Sequence, residues 1–135
     1  MPVGWRLKEP RTDITEPIGQ YERAGQKFMR VDIDGKPAHT IFRLLQNYGS
    51  CSFVETELCS GRTHQIRVHA AHLGMALPGD KRYSSNERQK FWKAKGLKRL
   101  FLHAHQLRFV SMDGQEHLVS SPLPDELSKL LASLE

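Results

Sequence analysis

The densest group of polar and ionisable side chains in the chain is the run Gly61-Arg62-Thr63-His64-Gln65-Ile66-Arg67-Val68-His69. Guanidinium, imidazole and amide groups follow one another where a strand pattern gives way to a helical one. The unpaired N–H groups of a first helical turn add to these donors. Such a set can donate to phosphate or base atoms and suits an anion. Arg62 stands where the helix starts and Arg67 a turn further along, near His64 and Ala71, so the two arginines need not share a role. A helix with a solvated polar face, its Arg67 paired to a structural carboxylate, accounts for the same residues, and composition alone leaves both readings open.

Two further groups carry chemistry in principle. The segment Asn86 to Gly96 holds Arg88, Lys90, Lys93 and Lys95 beside Phe91 and Trp92. Its lysines suit nucleic-acid phosphates, whereas the aromatics read as core. His69 and His72 fall on one helix face and His103 and His105 on one side of a strand. No carboxylate or cysteine completes a usual ligand spacing, so no metal site is expected. Twenty Lys and Arg against fifteen Asp and Glu give a net charge of +5, a balance that raises the prior for a polyanionic partner. Cys51 and Cys59 match no zinc pattern, and no leader or membrane-spanning apolar stretch accompanies them, so a reducing cytoplasm is the expected home.

The elements that must position these groups follow from alternation and turn residues. With 135 residues, 39% of them hydrophobic, the chain is expected to form a single domain over 1–135. Residues 1–25 lack periodicity and read as an extended arm anchored by Trp5. Lys27 to Asp34 reads as a strand, turned at Asp34-Gly35 into a partner strand from Ala38 to Tyr48, with a third strand from Cys51 to Leu58. Thr63 to Leu73 is a helix stopped by Gly74, and Ser85 to Lys95 a second helix. Leu100 to Val110 alternates and turns at Asp113-Gly114 into Glu116 to Val119, and Asp125 caps a closing amphipathic helix. About five strands in sequential hairpins and three helices predict an α+β fold, a mainly antiparallel mixed sheet with flanking helices.

The run Gly61 to His69 resembles the motif of the pseudouridine synthases that modify ribosomal large-subunit RNA. Four satellites agree in order: Pro17-Ile18-Gly19; Gly35-Lys36-Pro37-Ala38 with Thr40; Gly79-Asp80 with Tyr83; and Arg99 to Ala104 with Leu107 and Phe109. The resemblance implies the C-terminal portion of the pseudouridine synthase fold and a cofactor-free isomerase: the uridine is flipped out, its N1 bond to the sugar is broken, the base turns and C5 is joined to the same carbon. It also implies that Arg67 holds the family's catalytic aspartate in a salt bridge and that Arg62, with His64 and Gln65, faces RNA; Lys90 and Lys93 join that set on the basic character of their own helix.

The family's aspartate lies in a His-Arg-Leu-Asp stretch, followed by a tyrosine in Lys-x-Tyr-x-Ala, and neither stretch occurs in this sequence. Asp13, Asp32, Asp34, Asp80, Asp113 and Asp125 lack that context. The chain is therefore expected to be a portion of a longer synthase, inactive alone, with a non-catalytic RNA-binding module as the alternative. A sheet edge left open would favour self-association.

Overall fold

Seven strands and three helices follow one another through residues 9–48 and 51–134, the part of the chain that the computed structural model describes. Strands β1 (Arg11–Ile14), β4 (Thr40–Asn47) and β5 (Ser52–Leu58) form a sheet with β4 in the middle. Strands β2 (Ile18–Arg23) and β3 (Gln26–Val31) make one hairpin; β6 (Gln106–Val110) and β7 (Glu116–Ser120) make another. Every strand pairing is antiparallel. With helices α1 (Gln65–His72), α2 (Asn86–Ala94) and α3 (Asp125–Ser133), the fold is α+β as expected. No helix of the described residues is long and apolar enough to cross a membrane.

Several expectations are corrected. The stretch read as an extended arm contains β1 and β2, both paired; Trp5 lies outside the described residues. The hairpin expected through Asp34-Gly35 does not form, because β3 pairs with β2 and β4 with β1 and β5. The true turn is Ala24-Gly25, between the paired Arg23 and Gln26, with both turn residues at positive φ (52° and 77°). Alanine is an uncommon choice there, so the usual Asn-Gly or Asp-Gly signal is missing. Residues 101–105 are irregular rather than strand, and Pro124, not Asp125, is the N-cap of α3.

Helix α1 holds the two halves of the structure together. It has eight residues, no side-chain cap and no acidic residue in its first turn, so little local preference supports it. Burial supports it instead: Ala70 and Ile66 join Ile14 and Phe42 against the three-stranded sheet, while Val68 packs with Ile18 and Ala38 under the β2–β3 hairpin. Between these apolar contacts runs a polar seam. His69 is fully buried, with Nε2 2.8 Å from the Glu16 carbonyl and Nδ1 2.7 Å from Thr40 Oγ1. A carbonyl only accepts, so Nε2 carries the proton and the Thr40 hydroxyl donates to Nδ1. Gly74, at φ 78°, ends the helix: its N–H bonds the Ala71 carbonyl and that of Met75 bonds Ala70, the paired closure of a left-handed C-terminal residue.

Candidate functional site

Arg67 leaves the middle of α1 and forks onto Asp80, Nε to Oδ2 at 2.9 Å and Nη2 to Oδ1 at 2.8 Å. The Asp80 side chain is 0% exposed and that of Arg67 18%. Asp80 Oδ1 also accepts from the backbone N–H groups of Arg82 and Tyr83, at 2.9 and 3.0 Å. Burial by itself would raise this carboxyl, but the Arg67 hydrogen bond and the two backbone donors outweigh it and hold it below the usual carboxylate range. The pair is therefore ionised, and the bidentate geometry fixes the guanidinium plane. Of the two sequence readings of Arg67, pairing with a carboxylate of the chain itself is realised.

The loop that delivers Asp80 is held by backbone shape. Gly79 has φ 81°, and a Cβ there would lie 2.1 Å from the Arg99 carbonyl oxygen. Phe101 N–H donates to the Pro78 carbonyl at 2.9 Å, so the Gly79-Asp80 and Arg99-to-Ala104 satellites of the sequence are in contact.

Tyr83 closes the other side. The Arg67 guanidinium carbon lies 5.1 Å from its ring centroid, and the His64 and Phe28 rings meet it edge-on at 5.6 and 6.3 Å. Its hydroxyl accepts from Met29 N–H at 3.1 Å and sits 2.8 Å from His64 Nδ1. Desolvation first, then the charges of Arg67 and Arg82, push the His64 imidazole below its ordinary value. Neutral His64 thus accepts from Tyr83 through Nδ1. The outer edge of the Arg67 guanidinium remains: Nη1 makes no hydrogen bond among the described residues. A second carboxylate or a phosphate meets two parallel donors there.

The remaining candidates separate. Arg62, half-buried, donates from Nε to the Pro37 carbonyl at 2.7 Å. Gln65, expected to face RNA, is 3% exposed and its amide is consumed within the fold. Its Nε2 donates to the His39 carbonyl and Thr40 Oγ1, and its Oε1 accepts from Ser60 Oγ and Arg62 N–H. A group so engaged has no donor left for RNA; Gln65 is a strut of the α1 entrance. Lys90 and Lys93 are exposed on α2 and line a groove of about 470 Å³ together with Lys81, Lys98 and Arg99. Among the described residues no carboxylate lines this groove, although Arg99 pairs with Glu126 at 3.5 Å. Trp92, also a groove residue, is 3% exposed and packs with Leu130, as read from sequence. His103 contacts the Ser121 carbonyl and His105 contacts Glu55, and no group of His, Cys, Asp or Glu able to hold a metal occurs among the described residues. Asp80 as the partner of Arg67 was missed; the spacing Asp80 to Tyr83, noted only as a satellite, was its signal.

A family model described as RNA pseudouridylate synthase matches residues 6–72, from before β1 to the end of α1 and including Arg67. The ribosomal large subunit pseudouridine synthase C of Haemophilus ducreyi is 35% identical over 113 residues, which is 83% of this chain. The chain belongs to the RNA pseudouridylate synthase family. A further family member, an uncharacterised RNA pseudouridine synthase of Chloroflexus aurantiacus, is 40% identical over 90% of the chain. The chain spans 35% and 37% of the lengths of these two synthases. The solved structure of human RNA pseudouridylate synthase domain containing 1 shares the fold, with a TM-score of 0.69 at 24% identity over 95% of this chain and 60% of that one.

Proposed function

We propose that this chain is the C-terminal portion of the catalytic domain of a pseudouridine synthase acting on large-subunit ribosomal RNA, with Arg67 the partner of an aspartate supplied by the rest of the enzyme. The observation that carries this reading is the guanidinium itself: Asp80 takes the Nε side and fixes the plane, and the Nη1 edge is left for a second carboxylate. A cation so oriented keeps the incoming aspartate ionised and selects its rotamer, as a group acting on the sugar of a flipped uridine requires. The name of the Haemophilus ducreyi relative supports ribosomal RNA as the substrate, that of the Chloroflexus aurantiacus relative supports RNA, and the basic groove beside the Asp80 loop, with Lys90 and Lys93, suits its phosphates. Arg62 and His64 flank the same helix entrance and complete the RNA-facing set.

The isomerisation exchanges an N1–C1′ bond for a C5–C1′ bond and expels the hydrogen of C5. Release of tritium from [5-3H]uridine in 23S-type ribosomal RNA therefore measures it directly. The chain alone is expected to release none. Co-expressed with the preceding part of a relative that contains His-Arg-Leu-Asp, it is expected to release tritium, and the Arg67→Met form of the same pair is expected not to. Failure of the reconstituted pair to bind or turn over ribosomal RNA would remove this reading. Salt-dependent RNA binding that is never accompanied by release would favour the non-catalytic module, for which the groove cations alone suffice.

A further inference from the structure

The β2–β3 hairpin has two faces of different character. Ile18, Met29 and Val31 point to α1 and Ala38, whereas alternation along the paired strands puts Tyr21 and Arg23 with Gln26, Phe28 and Arg30 on the opposite side. An outward sheet face is ordinarily polar. Here Tyr21 and Phe28, directly opposite each other, stack at 5.6 Å with their planes 26° apart. Two exposed arginines lie on these rings, Arg30 over Tyr21 and Arg82 over Phe28, each 4.9 Å from the centroid. Phe28 in turn meets Tyr83 edge-on, and Tyr83 lies under Arg67. Planar groups thus run without a gap from the Arg67–Asp80 pair out along the hairpin. The Asp32 carboxylate approaches this strip, 3.9 Å from Arg30.

We infer that this strip is a stacking platform for unpaired bases of RNA adjacent to the nucleotide held at Arg67. Aromatic rings and guanidinium planes stack bases of any identity, and a platform with two such rings takes about two of them. The arginines add phosphate attraction, so the face complements single-stranded RNA in both shape and charge. Duplex RNA, whose bases are already stacked, gains nothing from the rings. An apolar protein partner would desolvate Arg82, which has no carboxylate partner among the described residues, and weaken the hydration of the Arg30–Asp32 pair. The inference rests on the RNA reading above and adds to it a base-contacting surface separate from the lysines of α2.

The test is fluorescence anisotropy with the whole 135-residue chain. The probes are a labelled single-stranded RNA 12-mer of mixed sequence and a duplex of the same length, each titrated at several salt concentrations. Tyr21→Leu and Phe28→Leu keep apolar bulk but remove the ring, and Arg30→Lys, at an exposed position, keeps charge but removes the plane. The Leu variants are expected to weaken single-strand binding by about 5-fold to 100-fold, the range for losing one stacked base. Arg30→Lys is expected to weaken it several-fold, and all three should leave the slope against log salt and the affinity for the duplex unchanged. Lys93→Glu should instead weaken both RNAs and lower the slope. Single-strand affinity at the wild-type level in Arg30→Lys and in folded Tyr21→Leu and Phe28→Leu overturns the platform while the RNA reading stands. An equal loss on the duplex overturns it too. A wild-type chain that binds neither RNA overturns the RNA reading itself, and the platform with it.

Discussion

Replacing Asp80 with Asn removes one negative charge from a fully buried position while keeping the size and one acceptor of the side chain. The Asn oxygen can still serve the N–H groups of Arg82 and Tyr83, so the turn they form should survive. The loss falls on the fork: one Arg67 donor now faces an NH₂ group, and the guanidinium charge has no counter-ion. Deleting one partner of a buried pair costs about 3–5 kcal/mol. Arg67 retains 18% exposure and can partly rehydrate, which places the expectation near the lower limit, about 3 kcal/mol. For a chain of this length that corresponds to a fall in Tm of about 10 °C. Urea denaturation of wild type, Asp80→Asn, Arg67→Met and the double variant measures the pair directly. The double variant should be less destabilised than the sum of the singles, because it buries no orphaned charge. The pH dependence adds a second check. The folded Asp80 carboxyl titrates below its ordinary 3.8, so on acidification the unfolded chain takes up this proton first. The gap between wild type and Asp80→Asn should then be constant above about pH 5 and close as pH falls through 3.8 toward the folded value. A cost below about 1 kcal/mol, or additive single variants, would mean that Asp80 does not hold Arg67 and that the oriented outer edge has no structural basis.

Gly79→Ala should destabilise well beyond the cost of about 1–2 kcal/mol for a left-handed alanine, because the added Cβ meets the Arg99 carbonyl at 2.1 Å. Gly74→Ala, with nothing within 4 Å, should show the conformational cost alone, and equal denaturation midpoints for the two would contradict the packing of the Asp80 loop. Burial lowers the pKa of His69, so the unfolded chain binds its proton first; stability is expected to decline as pH drops below the ordinary value of 6.5, with His64 contributing in the same direction. Urea midpoints that do not change between pH 7.5 and 5.5 would refute neutral imidazoles at both positions. Among the described residues strand β5 ends its sheet with one edge unpaired and exposes Leu58, so concentration-dependent association is expected in light scattering; a monomer at every concentration would show the edge to be shielded.

What the sequence by itself determined was local. Alternation in Ser52–Leu58 and around Asp113-Gly114, the helical spacing in Gln65–His72 ended by Gly74, and the apolar stripe of Asp125–Ser133 all express conformational preferences carried by a few neighbouring residues. The motif Gly61 to His69 singled out α1 in the same way, as a string of residue types. Tertiary structure alone decided the partners. Asp34-Gly35 looks like a hairpin turn, yet the Lys36 backbone bonds Ile18, and β3 turns back on β2 through Ala24-Gly25, since that pairing buries Ile18, Met29 and Val31 against α1. Gln65 and Arg67 are both polar residues of one short helix. Gln65 became a buried strut and Arg67 half of an ion pair because β4 passes beside the first and the Asp80 loop beside the second. Tyr83 meets Met29 across 54 residues and Arg82 meets Lys27 across 55. Periodicity reports how a segment prefers to bend and which side is apolar; contacts at such separations are set by the summed burial of faces from distant segments, which no local pattern encodes.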